Sequence, residues 1–190
     1  MPQSLGDWWE FVILTLRDPR SAARLLVDWQ VPNGPRWAAF FLIVTLSSVA
    51  THLFLLSLDP LEREFVRANF PGPISFAVLQ AVAWLLMVGV TFGAARAFGG
   101  KGRFADVLLT FTWLQAVVFL FQVAQIVIGG ILPTLGSMIG VASMIVFLWL
   151  FTVFTTVVHK FDSAWTTFAG IIAGIFVIGI FIAALSGLGT

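Results

Sequence analysis

The sequence predicts an all-α membrane protein: a polytopic bundle of five transmembrane helices preceded by two interfacial helices. Three observations predict it. Hydrophobic residues make up 59% of the 190 and charged residues only 10%, with a mean hydropathy of +1.02. A soluble domain of this length needs far more charge to cover its surface, so the apolar excess must face lipid. The apolar residues fall in uncharged stretches long enough to cross a bilayer, since about 20 residues rising about 1.5 Å each span a hydrocarbon core of about 30 Å. Pro, Gly and charged clusters separate those stretches.

The chain reads as two parts, residues 1–35 and residues 36–190. The first opens on MPQSLGDWWE, which has no positive n-region before an apolar core, so a cleaved leader is not expected. Trp8 through Leu16 is apolar but too short to cross, because Arg17-Asp18-Pro19-Arg20 cuts it off. Asp18 and Pro19 read as the N-cap and first residue of a second helix, Pro19–Trp29. On it Arg20 and Arg24 share one face, while Ala22, Leu25, Leu26 and Trp29 crowd the other. With Trp8, Trp9 and Trp29 suited to the headgroup zone, both helices are expected to lie on the cytoplasmic face.

The spans are expected at about residues 36–58, 74–98, 104–128, 134–158 and 164–187. Asp59-Pro60 stops the first, and Pro71-Gly72-Pro73 opens the second. Gly99-Gly100 ends the second, and Asp106 suits the positive pole at the start of the third. Gly129-Gly130-Ile131-Leu132-Pro133 turns the third into the fourth, which His159 and Lys160 close. Between the first two spans, Leu61–Asn69 reads as amphipathic turns at the opposite interface.

Orientation follows from where Lys and Arg fall. With the N-terminus inside, the cytoplasmic side carries Arg17, Arg20, Arg24, Arg36, Arg96, Lys101, Arg103 and Lys160, and the outer side only Arg63 and Arg67. That bias predicts a multi-pass protein of a bacterial inner membrane, with the C-terminus outside.

Several function classes drop out. A net charge of +1 leaves no basic stripe for nucleic acid, and the absence of cysteine removes disulfides and thiol chemistry. No Asp, Glu, Lys or Arg lies mid-span, which argues against proton pumps, ion-coupled transporters and voltage sensors. Catalytic groupings and metal-ligand spacings are missing, so neither enzyme activity nor a cofactor is expected. Gly99-Gly100-Lys101-Gly102 lacks the spacing of a phosphate loop and reads as a helix connector.

Polar residues inside the spans form two bands. His52, Gln80 and Gln122 all fall about 9 Å below the outer surface, with Gln115 and Gln125 on the same helix as Gln122. An unpartnered glutamine is costly in hydrocarbon, so this layer is either an interhelical clamp or a polar cavity admitting water or a lipid headgroup. Nearer the cytoplasm lie Thr91, Thr110, Thr112, Thr152, Thr155, Thr156, Thr166 and Thr167, whose hydroxyls can return to the preceding turn. The basic residues bordering them can attract an anionic phospholipid. GxxxG pairs at Gly89 and Gly93, Gly136 and Gly140, and Gly170 and Gly174 allow close helix packing, within the chain or in a homo-oligomer.

Gly99-Gly100-Lys101-Gly102-Arg103-Phe104-Ala105-Asp106-Val107-Leu108 resembles the GGKGxF segment of bacterial members of the Yip (Ypt-interacting protein) family. Thr15-Leu16-Arg17-Asp18-Pro19-Arg20, leading through a Pro/Gly break into an apolar span, is similar to the same branch. The family's third span commonly carries a Gly-Tyr pair and a later proline. Here Thr112-Trp113-Leu114-Gln115 stands instead and the chain has no tyrosine, so no role of that pair carries over. The resemblance implies a five-span, non-enzymatic integral membrane protein with a cytoplasmic N-terminus. The association of eukaryotic relatives with Rab-type GTPases does not transfer to a bacterial cell. Two functions follow as expectations: a scaffold or accessory factor binding membrane-protein partners through its cytoplasmic helices, or a lipid or small-solute conduit through the glutamine layer.

Overall fold

A computed structural model describes residues 2–56, 64 and 72–174. Among these residues the structure is helical, without strands. The elements are α1 (Leu5–Arg17), α2 (Pro19–Asp28), α3 (Asn33–Leu56), α4 (Pro73–Ala97), α5 (Phe104–Gly129) and α6 (Pro133–His159), then a shorter apolar helix α7 (Ala164–Gly174). Four of them, α3 to α6, are long and apolar enough to cross a membrane. The start of the expected fifth span is α7, and residues 175–187 of that span lie outside the described residues. The expected amphipathic turns at Leu61–Asn69 also lie outside them, Glu64 excepted.

Local chemistry sets the helix ends. Ser4 and Asp7 form a capping box at α1: the Asp7 N–H donates to Ser4 Oγ at 3.1 Å, and the Ser4 N–H donates to Asp7 Oδ2 at 3.1 Å. Asp18 caps α2 by accepting the Ser21 N–H at 3.1 Å, and Pro19 supplies the first helical residue. Pro73 and Pro133 likewise occupy the first turns of α4 and α6. Pro19, Ala22, Ala23 and Leu26 are the buried stripe of α2, at the i, i+3, i+4, i+7 spacing of one helix face. Leu25, expected on that face, lies outside the stripe and is exposed; Ala23 takes its place.

Both capping carboxyls sit below the usual carboxylate range. Asp7 is lowered first by the Gln3 backbone N–H and then by Ser4; Asp18 is lowered by Ser21, through its side chain first and its backbone second. A depressed folded value means the capping contribution is present above the unfolded value and is lost as pH falls through the folded one. Amide exchange at Gln3, Ser4 and Ser21, the N–H groups these carboxylates accept, is therefore expected, after correction for intrinsic rates, to accelerate as pH falls below about 4 and to stay flat from about 5 to 8. Acceleration already between pH 5 and 8 would contradict this.

The core occupies one end of the bundle. On α5, Asp106 through Thr112 are buried without a break, followed by Leu114 and Val117; on α6 the buried run is Leu150 through Thr156, with Val158 and His159. Seven consecutive buried residues cover almost two turns, so both helices are enclosed on every side there. Towards the Gly129–Pro133 turn the same helices open out, with Val127, Met138, Met144 and Ile145 exposed. The enclosing elements are α1 and α2, whose Phe11, Ala22, Ala23 and Leu26 join Leu108, Phe111, Leu114, Leu150 and Phe154 in one cluster. At α4 only Val88 and Ala95 are buried, so most of its apolar surface is left for lipid.

Candidate functional site

The buried end of the bundle is also its charged end, and the α4–α5 connector organises it. Gly99 takes a left-handed φ of +83°, which a residue without Cβ adopts freely. The Gly100 N–H then returns to Ala95 O at 2.8 Å, and the Lys101 N–H crosses to His159 O at 3.0 Å, tying the loop to the end of α6. A Cβ on Gly100 would stand 2.7 Å from both Ala95 O and His159 Nδ1; one on Gly102 would stand 2.9 Å from His159 Nδ1 and from Val158 Cγ1. The glycines let the backbone lie directly on the imidazole. His159 is 1% exposed, and neither ring nitrogen has a hydrogen-bond partner. A cavity lined in part by Thr110, Thr155 and His159 has room for about one water.

Charge around the loop is arranged at the surface. Arg103 grips Asp106 through two parallel bonds, Nε to Oδ2 at 2.8 Å and Nη2 to Oδ1 at 3.0 Å. Hydrogen bonding to Asp106 first, and its charge second, hold the Arg103 guanidinium above its usual range. Lys160 caps α6 in the left-handed region at φ 56°. Of the eight basic residues singled out from sequence, Arg17, Arg20, Arg24, Arg96, Lys101, Arg103 and Lys160 are exposed; Arg36 alone is buried.

An aromatic joint fixes α1 to the spans. Trp113 Nε1 donates to Thr15 Oγ1 at 2.9 Å, while that hydroxyl donates to Phe11 O at 2.8 Å. Around the bond, the Trp113 ring centroid lies 4.7 Å from Phe11 and 5.7 Å from Trp8, and Phe11 lies 4.6 Å from Trp29. Trp113 stands about 14 Å along α5 from its start, so α1 reaches well down the side of the bundle.

The polar layer at the other end is more dispersed. Gln122 Nε2 donates to Thr51 Oγ1 at 2.8 Å, bridging α5 and α3. His52 is exposed, Gln115 is half-buried, and Gln80 is half-buried with its Oε1 unpartnered. Gln125 lies across Gly140, where a Cβ would come 2.9 Å from its Nε2. Among the described residues, then, His52, Gln80 and Gln122 share no hydrogen bond; the partner of Gln122 is Thr51, one residue before His52. Gln122→Leu and Thr51→Val should each cost about 1 kcal/mol, and the double variant little more. Additive costs in a thermal double-mutant cycle would show that the bond carries no weight.

The glycine pairs divide in the same way. Gly136 packs on the backbone of Gly129 across the α5–α6 turn, where a Cβ would come 2.5 Å from the Gly129 Cα. Among the described residues, a Cβ at Gly89, Gly93, Gly170 or Gly174 would meet nothing within 4 Å. In the threonine band, Thr110, Thr112, Thr152 and Thr156 return their hydroxyls to carbonyls of the preceding turn at 2.7–2.8 Å.

The model of the Yip1 domain matches residues 13–185, which takes in α2 to α7 and the last five residues of α1. The chain belongs to the Yip1 domain family. Comparison with curated proteins and with solved structures finds no match. The Yip1 match covers both the glycine connector and His159, so the contact between them lies within the family domain. In this member of the Yip1 family, neither that contact nor the Trp113–Thr15 joint is visible as a motif: each joins residues far apart in the chain. An isolated histidine ending an apolar run was the only signal for the first. A tryptophan in the middle of α5, where headgroup anchoring does not account for it, was the signal for the second.

Proposed function

We propose that this Yip1-family membrane protein is a non-enzymatic scaffold or accessory factor of a bacterial inner membrane. In this reading it crosses the membrane five times, with the N-terminus in the cytoplasm and the C-terminus outside. It binds membrane partners, proteins or anionic phospholipids, through its charged end. One observation carries the proposal: seven exposed basic side chains lie on α1, on α2, at the end of α4, on the glycine connector and at the end of α6, the elements that meet at the buried end of the bundle. A rigid, densely packed platform with an exposed basic rim is suited to holding a partner in register, since rim charges steer and orient association.

The conduit reading keeps one point in its favour, the unpartnered Oε1 of Gln80. The two separate by experiment. Wild type and a Lys101→Gln/Lys160→Gln variant are purified from native membranes in mild detergent after crosslinking, and bound proteins and lipids are identified. The scaffold reading expects one or a few partners enriched with the wild type and reduced at least threefold with the variant. Equal recovery by both, together with water access to Gln80 in the membrane, would favour the conduit.

A further inference from the structure

Arg36 differs from every other basic residue singled out above. It lies in the first turn of α3, is 6% exposed, and has its Nε unpartnered. Its Nη1 donates to Asn33 Oδ1 at 2.7 Å and its Nη2 donates to Val31 O, so the guanidinium folds back over the start of the helix. Both acceptors are neutral. Among the described residues the one salt bridge is that of Arg103 with Asp106, so no carboxylate lies within 4 Å of Arg36. Asp59 and Glu62, outside the described residues, follow the opposite end of α3 in sequence.

The position makes this charge costlier still. The start of a helix carries the positive pole of its dipole and unpaired N–H groups, which suits an anion and disfavours a cation. The first turn of α3 has no acidic residue. A guanidinium keeps its charge, and a buried charge without a counter-charge is strongly unfavourable. Three of its five N–H donors have no acceptor among the described residues. Pro35 has no N–H and the Arg36 N–H donates to Pro32 O at 3.2 Å, so Asn33 and Gly34 supply the unpaired donors of this turn. Gly34 is exposed, and among the described residues a Cβ there would meet nothing within 4 Å, so these donors are approachable.

We infer that the first turn of α3, with Arg36 and the Gly34 backbone, binds a phosphate anion, and that the source is the phosphodiester of an anionic phospholipid. The start of a spanning helix lies at headgroup depth, and Trp37, stacked on Phe41 at 6.0 Å, is the aromatic residue expected beside a headgroup. The inference rests on the membrane reading of α3 and is independent of any protein partner.

The test is thermal unfolding of the full chain in alkyl maltoside micelles, which carry no phosphate, with and without added phosphatidylglycerol, for wild type, Arg36→Met and Arg36→Lys. Arg67→Gln serves as a control of equal charge loss. Phosphatidylglycerol should raise the wild-type and Arg67→Gln midpoints by about 5 °C or more. Arg36→Met should lose that shift yet be at least as stable as wild type in maltoside alone, because it removes an uncompensated charge. If Arg36→Met does not fold, Arg36→Lys decides: with charge but no fork, it should bind phosphatidylglycerol about tenfold more weakly. Inorganic phosphate in maltoside alone reproducing the shift would keep the anion site and overturn the lipid source. The site itself is overturned if Arg36→Met, or Arg36→Lys in its place, keeps the full shift. It is also overturned if Arg36→Met is equally destabilised with and without phosphatidylglycerol, the mark of a purely structural clamp.

Discussion

Gly100→Ala is expected to destabilise the protein by about 1–3 kcal/mol, a fall in midpoint of about 3–10 °C, although it adds a single methyl group. The new carbon would stand 2.7 Å from Ala95 O and from His159 Nδ1. The carbonyl belongs to the helix backbone and cannot yield without breaking the loop's own return bond, Gly100 N–H to Ala95 O. Gly102→Ala meets only side-chain atoms, of His159 and Val158, and should cost less. Pairing each with His159→Ala separates the two cases. The imidazole accounts for much of the conflict at Gly102, so that pair should show a favourable coupling of about 1 kcal/mol. At Gly100 the clash with Ala95 O persists, and the coupling should be smaller. Equal couplings at the two glycines would mean that the loop does not seat on His159 as described.

Trp113→Ala should have the largest effect of any single substitution outside the loop, about 3–5 kcal/mol. It removes the ring against which Trp8 and Phe11 pack, and it strips the Thr15 hydroxyl of its donor. Much of this contact lies between helices that would otherwise face lipid, where close packing and hydrogen bonds hold helices together and hydrophobic transfer contributes little. The loss should therefore be local at first: α1 and α2 detach while the α5–α6 hairpin persists. Limited proteolysis in detergent checks this, with cleavage after Arg17, Arg20 or Arg24 accelerated at least tenfold and the spans intact. Thr15→Val removes the bond and keeps the ring cluster, and should cost only about 1 kcal/mol. A Trp113→Ala variant with unchanged cleavage at these arginines would show that the aromatic joint does not hold α1.

The helices were legible because their ends are written in local chemistry. Asp18-Pro19, Pro73 and Pro133 each act on the turn they begin, and Gly129-Gly130 followed by Pro133 divides an uncharged run too long for one span. Contacts between helices depend on rotation and depth, which residue spacing constrains only loosely. A depth estimate brought Gln122 near His52, but the side chain that faces it is the neighbouring Thr51, since adjacent helical residues point about 100° apart. Three glycine pairs had equal spacing; the one with close backbone contact sits beside the α5–α6 turn, where the connection itself forces the helices together. The crowding of basic residues at one end was plain in sequence. That Arg36 alone turns inward was not, because its bonds run to the α2–α3 connector and to Asn33, whose conformation no pattern specifies.

The central claim is that α1 packs against the middle of α5, making the charged end a single enclosed platform. The most direct measurement leaves that joint intact: nuclear Overhauser contacts of the Trp113 indole N–H in the wild-type chain, in lipid nanodiscs. Cross-peaks from this proton to the Thr15 and Phe11 side chains are expected. An indole N–H with contacts inside α5 and none to Thr15 or Phe11 would place α1 away from the bundle and contradict it.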